Sequence, residues 1–253
     1  MIEERTGRNF TLKSLPEGLD GNAAEIWRTA QNLFEKGDVV EVRAFKGRKT
    51  ASGYFNDFEA LANRAASLDN GGYQIYVTLN PVVPALLSRY CNRIEQGPEA
   101  TTKDGEISQR RWLPIDLDPV RPTLISASDE EKRAAFERAN EIKGYLEGKE
   151  FYDPIEADSG DGAHLLYRIE LPNDPESLTL VSGVLRSLDS LFSDNAVNVD
   201  KSVVNAARLW KLYGTTARKG DDSEDRPHRR SRLLKVPGSS EMSSGIRRIE
   251  PCE

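Results

Sequence analysis

The segment Arg111-Trp-Leu-Pro-Ile-Asp-Leu-Asp118-Pro holds two carboxylates, Asp116 and Asp118, two positions apart inside an apolar run. On a β-strand, side chains at i and i+2 leave the same face, so both acids point into one space while Ile115 and Leu117 pack behind them. Two carboxylates held this close repel unless a cation lies between them. A hard divalent ion suits that pair, and such an ion suits phosphate chemistry. Taken alone, Asp-Leu-Asp is equally the mark of an exposed strand edge kept soluble by charge.

Two further clusters follow in order. The first is Asp158-Ser-Gly-Asp-Gly-Ala-His164-Leu-Leu-Tyr, a turn of small residues leading to one of only two histidines in the chain. Glycine tolerates positive φ, so Ser159, Gly160 and Gly162 are expected to turn backbone N–H groups towards an anion, with Asp161 as turn-former. A Gly-Asp-Gly turn also makes ordinary hairpins. The second cluster is Asn198-Val-Asp200, followed by Ser202, Arg208, Lys211, Arg218 and Lys219, and further on by Arg226-Pro-His228-Arg229.

Three elements in this order (acid-x-acid strand, small-residue turn with histidine, third acid after an apolar residue) resemble the catalytic motifs of the archaeo-eukaryotic primase superfamily, in particular the primase-polymerase proteins of phages and plasmids. The resemblance runs over roughly residues 39–237 and takes in Tyr76-Val-Thr-Leu-Asn-Pro81. It implies that Asp116, Asp118 and Asp200 are catalytic and hold two Mg²⁺ or Mn²⁺ ions. It implies a nucleotide site formed by Ser159, Gly160, Gly162, His164, Ser202, Arg208 and Lys211. Arg218, Lys219, Arg226, His228 and Arg229 are then expected to meet nucleic acid, since arginine's fork suits phosphate. Asn80, Arg43 and Arg93 are candidates for lining the same cleft. The implied activity is template-dependent synthesis and extension of primers on single-stranded DNA from dNTP or NTP. Two alternatives use the same residues: a metal-dependent nuclease, and a non-catalytic RRM-like nucleic-acid binder. Related proteins often carry a helicase domain after this part, but no P-loop motif occurs here.

Composition narrows the setting. The 253 residues are 38% hydrophobic and 30% charged, with no apolar run long enough for a membrane span and no apolar core of a signal peptide near the start, so the expected location is cytoplasmic. Cys91 and Cys252, the two cysteines of the sequence, support neither a disulfide scaffold nor a four-ligand zinc site, and no zinc is expected. The net charge of −6 runs against nucleic-acid binding, but residues 200–235 hold ten Lys/Arg against five acids. A local cationic surface of that kind attracts phosphate even on an acidic chain.

The elements that must position these groups read as α+β, and they fit what the resemblance implies: a primase-like fold with an N-terminal α/β module over residues 21–105 and an RRM-like catalytic module with a mainly antiparallel sheet over 106–237. Residues 1–20 read as a loose lead-in and 238–253 as a linker. Helices are expected over 22–34, over 55–68 from the spacing of Phe55, Phe58, Leu61, Ala65 and Leu68, and over 84–94. Strands are expected over 39–45 and 73–79, and residues 96–108 as the boundary. Ser128 and Glu131 form a capping box for a helix reaching about Leu146. A strand over 163–171, a helix from Pro175 with Leu178, Val181, Leu185, Leu188 and Phe192 on one side, and a closing strand over 232–236 complete the pattern.

Overall fold

The computed structural model describes residues 15–19 and 21–238. Most of the expected lead-in over 1–20, nearly all of the linker-like end over 238–253, and Cys252 lie outside the described residues.

The N-terminal part begins with α1 (Gly21–Leu33), whose buried face carries Ala23, Ile26, Trp27, Ala30 and Leu33 at helical spacing. A hairpin follows, β1 (Val40–Lys46) and β2 (Lys49–Phe55), paired from Val40↔Phe55 to Lys46↔Lys49. Helix α2 (Phe58–Asn70) starts where Asp57 caps the N–H groups of Glu59 and Ala60. Next come β3 (Gln74–Thr78) and the two-residue β4 (Glu95–Gln96). Two expectations fail here. Phe55 belongs to β2 and not to the helix: it ends a strand, and the helical spacing that enlisted it is set only from Phe58 onward. Residues 84–94 hold one short 3₁₀ turn, Pro84–Ser88, before the chain extends into β4.

The second part starts with β5 (Arg110–Pro119) and α3 (Asp129–Glu147), which has the expected Ser128–Glu131 capping box. It continues through β6 (Ile155–Asp158), β7 (Ala163–Leu171), α4 (Pro175–Phe192) and β8 (Val197–Val199). This β-α-β-β-α-β order closes an antiparallel sheet in the spatial order β6-β7-β5-β8. Helices α3 and α4 cover the face bearing Ile115, Leu117, Leu165 and Val199, all nearly inaccessible. Each such side chain contributes about 1.5–3 kcal/mol when fully buried.

The last strands are short: β9 (Leu209–Lys211), β10 (Thr216–Ala217), β11 (Arg229–Arg230) and β12 (Arg232–Lys235). They tie the halves together. β12 extends the second sheet by pairing with β6, whereas β9 crosses back and becomes an edge of the first sheet, ordered β4-β2-β1-β3-β9. A boundary at residue 105 therefore does not divide the fold, because residues 209–211 complete the N-terminal sheet. The halves also join through Trp112, whose indole N–H donates to Leu33 O at 3.2 Å, and through the buried Arg111, which pairs with Asp38. Among the described residues no helix is long and apolar enough to cross a membrane.

Glu41 is the deepest charge in the first sheet. Its carboxylate is inaccessible and accepts from Arg43 Nε (2.9 Å), Arg43 Nη2 (2.6 Å), Ser52 Oγ (2.5 Å) and Thr102 N (2.9 Å). Burial pushes its pKa up, but the Arg43 guanidinium and these donors outweigh burial and hold it below the usual value of 4.5. Its stabilisation is therefore complete above that unfolded-chain value and is lost as pH falls through the lower folded one. Glu41→Gln should cost about 3 kcal/mol in urea unfolding at pH 7, because it strands a mostly buried guanidinium. The deficit should shrink as pH drops below 4.5.

Candidate active site

Strand register gathers the site. In the antiparallel ladders Asp116 lies opposite His164 on β7, and Asp118 opposite Asn198 on β8. The Asp200 N–H donates to Asp116 O at 2.9 Å, which carries the β5–β8 pairing one residue further. Directly opposed residues share a face, so His164, Asp116 and Asp200 form one row across three strands, with Asp118 beside it. This is the face that α3 and α4 leave uncovered.

The two strand acids are not equivalent. Asp116 Oδ1 lies 3.3 Å from His164 Nε2. Burial acts to raise its pKa, but His164, with Lys219 and Arg208, holds it below the ordinary value. Asp118 goes the other way: burial first, then the negative charge of Asp116, push it up, against the pull of Lys219 and Arg121. Two carboxylates about 6 Å apart at an effective dielectric near 20 repel by roughly 3 kcal/mol, comparable to what one neighbouring cation returns. Asp116 has that cation's place filled by an imidazole close by, and Asp118 pairs with Arg121 at 3.6 Å.

His164 is buried, and both ring nitrogens are engaged. Trp210 Nε1 donates to Tyr213 Oη at 2.7 Å, and Tyr213 Oη lies 2.8 Å from His164 Nδ1. Indole N–H can only donate, so the phenol oxygen accepts it and its own hydrogen is free for Nδ1. Burial pushes the Tyr213 phenol well above its ordinary pKa and keeps that hydrogen in place. The neutral imidazole then carries its proton on Nε2, aimed at Asp116. The Trp210 ring packs on the imidazole at 4.1 Å between centroids. His164 was expected to donate to a phosphate; here it orients a carboxylate.

Other expected residues are placed differently from the sequence reading. The turn after β6 is closed on itself: Ser159 N donates to Gly162 O, Gly160 N to Asp158 Oδ1 and Gly162 N to Ser159 Oγ. These N–H groups are engaged within the turn itself. The glycines serve close packing instead. A Cβ at Gly162 would lie 2.2 Å from Leu117 O, and one at Gly160, whose φ is +100°, 2.5 Å from the Ala217 Cβ. Asp161 is more than a turn-former: it is buried, accepts from Ala127 N at 3.0 Å and lies 3.3 Å from Lys219 and 3.7 Å from Arg121. Lys211 points inward, donating to Thr216 O at 2.8 Å beneath the Tyr76 ring, and burial lowers its amine to about 7. Asp200 accepts from Ser202 N at 2.8 Å and lies 3.3 Å from Arg208.

The distal cations brace the fold. Arg218 binds Asp69 and the carbonyls of Asp69 and Tyr73. Arg226 makes a two-pronged contact with Glu131 at 2.7 and 2.8 Å, and Arg229 holds Asp129 and Ala127 O. His228 Nε2 lies 3.0 Å from Gly220 O. A strand meeting these groups would compete with protein acceptors. Of the proposed cleft residues, Asn80 is buried and holds Ala206 O, while Arg93 pairs with Glu95.

Sequence reading missed Arg121, Tyr213 and Trp210 as members of the site. The first had a faint signal, a cation three residues after Asp118; the other two were visible only as apolar residues in a basic segment. Among the described residues no three His, Cys, Asp or Glu side chains converge to hold a metal ion, since the acids are turned towards His164, Arg121 and Arg208. The donor set is nonetheless all-oxygen, the kind that Mg²⁺ or Mn²⁺ takes.

No family model matches the sequence, and no curated protein matches it. Two solved structures are similar in shape, each covering 88% of this chain at 11% identity. One is a crystal structure of primase RepB' (TM-score 0.48); this chain spans 59% of its length. The other is the catalytic domain of primase RepB' in complex with initiator DNA (TM-score 0.47, 89% of that chain).

Tyr213→Phe should strand the Trp210 N–H and cost about 1–3 kcal/mol in thermal or urea unfolding. It should also release the His164 tautomer, read by ¹⁵N NMR, where two histidines give a simple spectrum. Asp118→Asn should raise Tm in metal-free buffer at pH 7. A carboxyl whose folded pKa is raised destabilises the fold above that value and is neutral below the unfolded value of 3.8, so the gain should vanish on acidification.

Proposed function

We propose that the protein is a template-dependent nucleotidyltransferase of the primase-polymerase type, which starts and extends primers on single-stranded DNA from nucleoside triphosphates. One observation carries this reading: Asp116 and Asp118 on β5 and Asp200 just past the end of β8 stand on one sheet face, with Arg208, Lys219 and Arg121 around them. The ordered motifs of the sequence support it independently.

Asp116, Asp118 and Asp200 would hold Mg²⁺ or Mn²⁺ after leaving their present partners. When bound, such ions lower the pKa of an attacking hydroxyl and neutralise charge on the transferring phosphoryl group. The chain's own groups do the rest. His164, fixed by Tyr213, orients the Asp116 carboxylate. Arg208, 3.3 Å from Asp200, is placed to exchange its acid for a phosphate of the incoming nucleotide. Lys219 and Arg121 offset the charge of Asp118 and Asp161, so that the face does not repel a polyanion outright.

Incubation with unprimed single-stranded DNA, labelled nucleotides and Mg²⁺ or Mn²⁺ should yield new oligomers. Asp116→Ala, Asp118→Ala and Asp200→Ala should each bring synthesis to background without loss of cooperative unfolding. Arg208→Ala should raise KM for nucleotide more than it lowers kcat. Degradation of the DNA in place of synthesis would reassign the site to hydrolysis.

A further inference from the structure

Next to the acidic row, the first sheet turns an aromatic face to the outside. Arg43 on β1 lies opposite Tyr76 on β3, which lies opposite Lys211 on β9. Phe45, two residues beyond Arg43, shares that face and meets the Tyr76 ring edge-on, with centroids 5.9 Å apart at 60°. Both rings are only half buried. With Lys103, Asn205 and Arg208 they line an open cleft of about 680 Å³. Arg208 joins this cleft to Asp200. Tyr76 also stands within electrostatic reach of the acids: burial first, then Asp161, Asp116 and Asp118, raise its phenol pKa.

We infer that this cleft holds unpaired nucleobases of a single strand, stacked on Phe45 and Tyr76, with the adjoining phosphates against Lys103. The inference rests on the nucleotidyltransferase reading for its purpose and adds the place where the strand lies. The chemistry is that of a sequence-tolerant single-strand site, in which every base offers a π-face to an aromatic platform and cations follow the backbone. A free triphosphate suits the cleft less well. Arg43 is spent on Glu41, and Asp104 on the wall accepts from Ala207 N, so positive charge is not concentrated here. The basic segment from Arg218 to Arg229 offers no comparable surface, because its guanidinium groups are engaged with Asp69, Glu131 and Asp129.

The test is fluorescence anisotropy with labelled oligo(dT), in the absence of metal and nucleotide, so that it does not depend on catalysis. Phe45→Leu keeps apolar volume but removes the π-face. It should weaken oligo(dT) binding roughly tenfold while leaving binding of free dTTP, measured separately, unchanged. Phe45→Trp should retain or improve oligo(dT) binding. The unaltered protein supplies a control that needs no variant: an abasic strand of equal length and charge should bind roughly tenfold more weakly than oligo(dT). Equal affinity for the abasic and normal strands would overturn the inference, as would loss of dTTP binding in step with oligo(dT). If the unaltered protein makes no oligomers yet discriminates against the abasic strand, the enzymatic reading fails and the strand site stands. Synthesis without that discrimination is the converse.

Discussion

The pairing of β5 between β7 and β8 decides where charge collects in this molecule. Register is rigid because side chains alternate with a period of two, so a slip of one residue would send Asp116 and Asp118 into the core and Ile115 and Leu117 out of it. With Ile115 and Leu117 clamped under α3 and α4, the acids have one face available, and His164 and Asp200 join it from the neighbouring strands. Gathering three carboxylates on one face is costly, and a neighbouring donor answers that cost for each: the His164 imidazole for Asp116, Arg121 for Asp118, Arg208 for Asp200. The site is held together by these pairs.

That arrangement explains why the chain crosses between sheets after Asp200. β9 leaves the second sheet to complete the first, and in doing so delivers Trp210 and then Tyr213 beneath His164. The same crossing places Arg208 at the junction of the acidic row and the aromatic cleft. This three-residue strand and the residues flanking it thus join the Trp210–Tyr213–His164 hydrogen-bond chain, the Arg208 guanidinium and the aromatic cleft. The hairpins beyond it spend their basic residues on bracing: Arg218 to the end of α2, Arg226 and Arg229 to the start of α3. These contacts hold the closing strands over the edge of the second sheet.

Much of this was legible in the chain. The Asp-x-Asp spacing, the Ser128–Glu131 box, the Pro175 start of α4 and the strand after Gly162 are local signals, set by alternation, capping and φ preferences within a few residues. The antiparallel sheet with two helices came from the resemblance of the ordered motifs, with which the order of these elements agrees. Phe55 and residues 84–94 misled because an apolar residue next to a helix start, or a short apolar run, satisfies helical spacing without belonging to a helix.

What tertiary structure alone decided was the partner of each polar group. Sequence nominated His164 for a phosphate, Lys211 for a nucleotide and the glycine turn for an anion. Packing instead turned His164 between Asp116 and Tyr213, folded the Lys211 amine onto Thr216 O, and closed the turn's N–H groups on their own loop. Residue type and spacing determine which chemistry a side chain can perform and which face it leaves. They do not determine which of several donors or acceptors, 49 or 100 positions away, burial will bring within 3 Å, and it is that proximity which separates a ligand-binding group from a brace.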